Sequence, residues 1–413
     1  MKNPLKLIPR LPVFGWSSLA GERHVQMPCM LSLPGMTYTT SGRASILLAL
    51  ELLGVKAGDR VLVPTYHCPT MVAPVVRLGA EPSFYPIDAN GTPNLAWLSQ
   101  QDLSNTRVLL AAHLFGLPQP MALIRRWCDA HHVVLIEDCA HALFGRSDGR
   151  PIGAWGDMSI GSLTKFLPLP LGGCLVVNNG ALNPNLHSAG QAAELRVVVD
   201  VLDVAAQHRR VTGLNQGIAA ALGMARGMAR GMRRPGKPKP AAAQAREDAA
   251  AAEEAAHSVD AEVAHQMLPG LARWAAEKLP RGRNVALRRR RYEELATRLS
   301  GVPGMRPLMP ILPDDCAPYV LPLWVDHPDP GYARLRERGM PVSRWNWLWP
   351  GVPQLPGDHG TRWAHHVLQL ACHQDLTDDD VNRLVTALHT LYSQTPGIDT
   401  AVAAPEVSMP MSI

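Results

Sequence analysis

Several features that mark large protein classes are missing from this 413-residue sequence or scarce in it. There is no C-x-x-C pair, and the seven cysteines are an odd number, which argues against a disulfide framework or a zinc knuckle. No apolar run approaches the roughly 18–20 residues that span a bilayer. Charge of one sign is scarce as well. The 40 Lys and Arg against 35 Asp and Glu leave +5, too small a surplus for a dedicated nucleic-acid binder. Lys2, Lys6 and Arg10 are basic, but Pro4, Pro9 and Pro12 interrupt the apolar stretch that a secretory signal needs. The expectation is a cytoplasmic protein with no membrane span. Its 46% hydrophobic and 18% charged residues are ordinary for a globular chain, and it is long enough for one large or two modest domains.

Lysine is absent over a long stretch too: Lys165 is the only one between Lys56 and Lys237. Around it runs a regular pattern. Helix-like segments at Ala44–Gly54, Pro69–Gly79 and Gln119–His131 alternate with short apolar bursts at Arg60–Pro64, Val108–His113, Val133–Asp138 and Cys174–Asn178. That alternation predicts an α/β domain with a largely parallel sheet, in which ligands gather where strands end. His113, Glu137, Asp138 and His141 stand at such ends. The segment 224–258 is different, first basic with Gly and Pro and then alanine-rich, and reads as a poorly ordered insertion. Beyond it, Leu271–Leu299 predicts one or two helices, with Arg288–Arg291 a solvated basic face. Tyr319–Val325 is strand-like, and Asp378–Tyr392 has helical spacing. The expected organisation is an N-terminal segment 1–37, a large domain 38–215, an insertion 216–265, linking helices with a small α+β domain 266–392, and a flexible tail 393–413.

Three segments carry chemistry. Ser41-Gly42-Arg43-Ala44 opens a helix, where free backbone N–H groups and the helix dipole stabilise an anion such as phosphate; a plain N-cap is the alternative for Ser41. Val133–Asp138 is a buried strand ending in Glu137-Asp138, with His141 three residues on. A carboxylate there can hold a protonated ring nitrogen, or cap a helix; Glu137 points to the other face and reads as structural. The third segment is Gly161-Ser162-Leu163-Thr164-Lys165-Phe166-Leu167, followed by Gly172-Gly173. An amine amid apolar residues has a lowered pKa and becomes a nucleophile suited to a Schiff base. Ser162-x-x-Lys165 also matches penicillin-recognising hydrolases, but their S-D-N and K-T-G strings are absent.

In this order the segments resemble the DegT/StrS family of sugar aminotransferases, fold-type-I enzymes that use pyridoxal 5′-phosphate. The strings that carry the resemblance are SGRASILLALELLGVKAGDRVLVPTYHC, GAEPSFYPID, HLFGLP, VVLIEDCAHALFG, GAWGDMSIGSLTKFLPLPLGG and LQLACHQDLTDDDVNRL. The resemblance implies a large domain with a mostly parallel central sheet flanked by helices, and a smaller C-terminal α+β domain. It implies that Lys165 bonds the cofactor aldehyde, Asp138 pairs with the pyridinium nitrogen and His141 lies near the phenolic oxygen. Gly42, Arg43 and Ser162 would hold the phosphate, Tyr66 or His67 would stack on the ring, and Arg344 would clamp a substrate anion. Glutamate or glutamine is the implied donor, a keto group of a nucleotide-linked sugar the acceptor, and a homodimer the implied assembly, with Asn215 the candidate for a residue supplied across the interface. A sugar dehydratase of the same fold would have histidine in place of Lys165. The other alternative is a regulatory or binding role on the same scaffold. His365, His366, Cys372 and His373 fit no zinc spacing, and no metal is expected.

Overall fold

The computed structural model describes residues 7–22, 26–180, 182–217, 220 and 256–393. The expected tail, apart from its first residue, and most of the expected insertion lie outside these. The amino-terminal half builds strands β1 (Met36–Thr39), β2 (Arg60–Pro64), β3 (Glu81–Tyr85), β4 (Thr106–Ala112), β5 (Val134–Cys139), a short hairpin β6 (Arg146–Ser147) and β7 (Arg150–Pro151), then β8 (Met158–Ser162) and β9 (Gly173–Val177). Seven of them form one sheet in the order β1-β9-β8-β5-β4-β2-β3. All neighbours are parallel except at β9, which runs antiparallel to both β8 and β1. The central strands are nearly continuous apolar runs, such as Val61-Leu62-Val63 and Val108-Leu109-Leu110, each residue 0–4% exposed. Strands covered on both faces have this composition.

The helices Gly42–Leu52, Pro69–Arg77 and Met121–His131 fall where the apolar spacing placed them, with ends moved by two residues at most. Ser41 caps the first, its hydroxyl accepting from the Ala44 N–H at 3.1 Å. The predicted burst at Cys174–Asn178 is β9, one residue earlier. The helices Gly270–Lys278 and Arg281–Leu299 account for the predicted helical stretch after the insertion. A second sheet follows, made of β10 (Met305–Pro307), β11 (Val320–Val325), β12 (Val342–Ser343) and β13 (Val367–Ala371), antiparallel throughout in the order β10-β11-β13-β12. The helix Asp378–Tyr392 packs with Arg281–Leu299 beside it. A capping box, in which Thr377 and Asp380 serve each other's backbone, starts that helix. One apolar cluster runs unbroken from β2 and β4 through Tyr292 and Leu295 to β11, β13 and Leu384.

One expectation is corrected here. Arg288–Arg291 is not a solvated face: Arg288 is 0% exposed and Arg291 6%. Positions 288, 292, 295 and 299 share the helix face that meets the core, so the 3.6-residue repeat carries Arg288 inward and leaves Arg290 exposed. No helix among the described residues is long and apolar enough to cross a membrane.

Candidate active site

Because β4, β5 and β8 are adjacent and parallel, their carboxyl ends open on one edge of the sheet, with Ala112 level with Asp138 and Cys139 level with Gly161. The loops that leave these ends surround a cavity of about 400 Å³, and Gly42, Arg43, Asp138, His141, Ser162 and Lys165 all border it. Gly42 and Ser162, 120 positions apart, thus border one space.

One end of the cavity is the start of the helix Gly42–Leu52. Its approach to the sheet depends on Gly173. A Cβ there would stand 2.3 Å from the Ser41 carbonyl carbon and 2.7 Å from the Gly42 nitrogen. The Arg43 guanidinium donates to the Ser258 carbonyl, so what Arg43 offers the cavity directly is its backbone. Ser162 Oγ and Thr164 Oγ1 lie 3.3 Å apart on the adjoining wall.

Asp138 is 5% exposed, and its Oδ1 accepts from the Ala140 N–H at 2.8 Å. Burial raises its pKa, and that hydrogen bond and the Lys165 charge work against the rise. His141 accepts the Phe115 N–H on Nδ1 at 3.2 Å. Burial drives its pKa well below the usual value, so the ring is neutral with its proton on Nε2. The donor comes from a turn in which Phe115 has φ +63°. A side chain rarely adopts that conformation unless its surroundings enforce it. Here the Phe115 N–H is tied to His141 and its carbonyl accepts from the Tyr319 N–H at 2.9 Å, and Gly116 permits the close approach, since a Cβ there would lie 2.5 Å from both the His141 oxygen and the Tyr319 nitrogen.

The Lys165 side chain keeps part of its surface open to the cavity, while the protein packed around the amine lowers its pKa, burial being the main cause. Its Nζ lies 5.3 Å from the centre of the Tyr319 ring, and that ring is tilted against His141 at 4.5 Å.

Three expected site residues are elsewhere. Tyr66 is 0% exposed in the core, with its hydroxyl accepting from Gln369 Nε2 at 3.0 Å. His67 stacks on Phe84 and joins Pro64 to the Trp349 N–H. The chain turns as it leaves β2, so strand alternation no longer holds, and Cys68 is the residue at the cavity wall. Arg344 is occupied by Asp329 at 2.5 Å and by the Ala364 and His365 carbonyls. Its neighbour Trp345 borders the cavity instead, 5.2 Å from the His141 ring. Asn215 closes a local turn through the Val211 N–H.

Asp260, Val263 and Ala264 also border the cavity. They belong to the stretch read as insertion, whose composition hides them. Thr40 Oγ1 donates to the Val263 carbonyl at 3.0 Å, and His265 meets Glu51 at 2.9 Å.

Glu137 is structural. Its carboxylate accepts from Gly153 and Trp155 N–H at 2.8 and 2.9 Å and meets His113 Nε2 at 2.9 Å, and these partners lower its pKa against the cost of burial. His113, Glu137 and Cys139 bring possible ligand atoms within 4.8 Å of one another, but the backbone N–H of Gln119 holds the remaining His113 nitrogen. Of the histidines near the carboxyl end, His373 is bonded to the Pro9 carbonyl and His366 is stacked on Trp324.

Residues 35–223 match the model of the DegT/DnrJ/EryC1/StrS aminotransferase family. Curated relatives include a GDP-perosamine synthase of Vibrio cholerae, 28% identical over 50% of this chain and 58% of its own length. Another is an L-glutamine:scyllo-inosose aminotransferase of Streptomyces griseus, 32% identical over 34% of each chain. The chain thus spans about half or less of the length of the curated relatives it matches. Among solved structures, AtS13 from Actinomadura melliaura superposes with a TM-score of 0.59 at 19% identity, covering 94% of this chain and all of that one. DesV of S. venezuelae, solved with a ketimine intermediate, gives 0.57 at 20%, covering 87% and 85%. At these identities the likeness establishes the fold, the fold-type-I arrangement of a mostly parallel seven-stranded sheet beside a smaller antiparallel one.

Proposed function

We propose that this chain, whose residues 35–223 match the DegT/DnrJ/EryC1/StrS aminotransferase family, moves an amino group from an amino acid to the keto group of a sugar, using pyridoxal 5′-phosphate. One observation carries this reading: a single cavity brings together an anion-binding helix start, a buried carboxylate and an amine of lowered pKa. The three fit the cofactor's phosphate, ring nitrogen and aldehyde, and Gly173 leaves the backbone room that the phosphate end needs. When bound, the cofactor supplies an electron-withdrawing ring that stabilises negative charge on the carbon beside a substrate's amino nitrogen.

The chain's own residues do the rest. The Gly42 and Arg43 backbone N–H groups bind the phosphate with the help of the helix dipole, and the Ser162 hydroxyl adds a bond. Asp138 keeps a proton on the ring nitrogen, and burial, by raising the proton affinity of its carboxylate, favours that sharing. His141 donates from Nε2, since Phe115 holds Nδ1. Lys165, whose amine gives up its proton more easily because burial lowers its pKa, would be the group that bonds the aldehyde, and its Nζ would take the proton from the donor's α-carbon and later return one. Glutamate or glutamine is the proposed donor and a nucleotide-linked keto-sugar the proposed acceptor.

The proposed assembly is a homodimer. Leu195 and Val198 on one helix and Leu271 and Trp274 on the helix packed against it are 36–65% exposed. Val263, which borders the cavity, is 44% exposed and close in sequence to this face. Exposed apolar side chains gathered on packed helices support an association surface there.

Purified protein is expected to absorb in the visible range, and Lys165→Ala to abolish that band. Incubation with glutamate and a panel of nucleotide-linked keto-sugars, followed by mass, is expected to show conversion of a ketone to an amine. A colourless protein that takes up no added cofactor would refute the proposal.

A further inference from the structure

Arg288 is the largest fully buried side chain among the described residues, and nothing in the proposed chemistry uses it. It stands midway along the helix Arg281–Leu299, and its guanidinium is spent on neutral oxygens: Nε donates to Gln374 Oε1 at 2.9 Å, Nη1 to the Pro318 carbonyl at 3.1 Å, and Nη2 to the Lys165 carbonyl at 2.5 Å. The same fork lies over the Phe166 ring at 4.5 Å. Gln374 Nε2 in turn donates to the Phe166 carbonyl at 2.9 Å, and Asn284 Nδ2 reaches that oxygen at 3.4 Å. Two consecutive carbonyls, those of Lys165 and Phe166, are therefore gripped by side chains from the long helix and from the turn ahead of the helix Asp378–Tyr392. Burial holds the Arg288 pKa at about 10, so the cation persists at neutral pH.

A buried cation with only neutral acceptors is costly. A leucine or methionine of similar volume would fill the space without that cost. What the guanidinium adds is a rigid planar fork that bonds several oxygens in fixed directions, which a lysine ammonium does not reproduce. No hydrogen bond from Lys165 Nζ to a protein group occurs among the described residues, so the path of the amine into the cavity is set by its backbone and by packing.

We infer that Arg288, braced by Gln374, is a positioning residue that fixes the Lys165 backbone so that its amine enters the cavity enclosed and correctly aimed. The inference rests on the reading of Lys165 as the cofactor-bonding lysine. Through this fork, the part of the chain that carries the second sheet controls the position and enclosure of the reactive nitrogen.

The test compares wild type, Arg288→Lys, Arg288→Met and Gln374→Leu. Each protein is freed of cofactor, and the rate of pyridoxal 5′-phosphate capture is followed by absorbance from pH 6 to 10. Thermal unfolding is measured alongside. A loosened backbone admits water to the amine and raises its pKa, so the capture profile of the Arg288 variants is expected to move alkaline by about one unit. At neutral pH their capture is expected to slow on the order of tenfold to a hundredfold, the usual cost of a misplaced reacting group. Arg288→Lys keeps the charge but lacks the fork and is expected to behave as Arg288→Met does. Gln374→Leu is expected to shift the profile in the same direction by less, and it decides the matter should the Arg288 variants not fold. A wild-type profile in Arg288→Lys, or in Gln374→Leu if that is the variant left to judge by, overturns the inference. A wild-type protein that captures nothing refutes the cofactor assignment itself.

Discussion

Replacing Gly173 by alanine tests the packing that creates the anion-binding end of the cavity. The new methyl carbon would stand 2.3 Å from the Ser41 carbonyl carbon, 2.4 Å from its oxygen and 2.7 Å from the Gly42 nitrogen. Carbon atoms rest about 3.5–4.0 Å apart, so the two backbones must separate by roughly 1 Å. Neither can give cheaply. Gly173 is level with Thr39 on one side and with Ser162 on the other, so β9 cannot withdraw without breaking both pairings. The helix start must therefore move. Overpacking of this kind costs about 1–3 kcal/mol, and the upper end is expected because the obstructing atoms are backbone. The φ of Gly173 is not in the left-handed region, so contact accounts for the whole cost. A shift of that size at the phosphate-binding N–H groups is expected to weaken cofactor binding on the order of tenfold or more. The assay is urea unfolding together with an absorbance titration of cofactor. Gly58→Ala is the control: nothing lies within 4 Å of its Cβ position and its φ is +89°, so it should lose about 1 kcal/mol through strain and keep full cofactor affinity. If Gly173→Ala unfolds and binds as wild type does, the account of this end of the cavity is wrong.

Glu137→Gln turns an acceptor for two short backbone N–H bonds into an amide that presents N–H to N–H, and a loss of about 3–5 kcal/mol is expected in urea unfolding; a loss below about 1 kcal/mol would show that the network is not what fixes the loop at Gly153–Gly156. Because its partners hold the Glu137 pKa down, the stability it confers is present above the ordinary glutamate pKa of about 4.3 and is lost as pH falls through the lower folded value. His67, His141 and His373 are held neutral by burial, with His67 pushed down to about 4 and His373 to about 3. Unfolding lets each take a proton below about pH 6.5, so stability should fall by up to about 1.4 kcal/mol per pH unit per histidine between pH 6.5 and 4. Unfolding free energies that stay flat over this range would contradict their burial.

What could be read from the sequence, and what could not, divides along physical lines. Strands buried on both faces announce themselves as short apolar runs, and β2, β4, β5 and β9 were placed to within two residues for that reason. Lys165 was conspicuous because so few lysines surround it, and Asp138 because strand alternation separates it from Glu137. The ring-side residues were harder. Tyr66 and His67 sit where the chain turns out of β2, so a period of two no longer says which side chain faces the cavity, and Cys68 does. Arg344 was one residue from Trp345, which borders the cavity, but an extended segment without strand pairing gives no phase to tell them apart. Arg288 and Arg291 escape a reading by composition because a run of four arginines looks solvated, whereas the helical repeat turns these two inward. Asp260 and Val263 carried no signal within an alanine-rich stretch; only long-range packing reveals them.

The apolar cluster that passes without a break from the seven-stranded sheet to the four-stranded one also bears on how the chain can be handled. Tyr292 and Leu295 belong to a shared interior, and severing the polypeptide ahead of them would strip shelter from both fragments at once. Expressing either fragment alone should yield sticky, insoluble material, and a protease that nicks the folded protein should leave its pieces clasped together until a denaturant frees them.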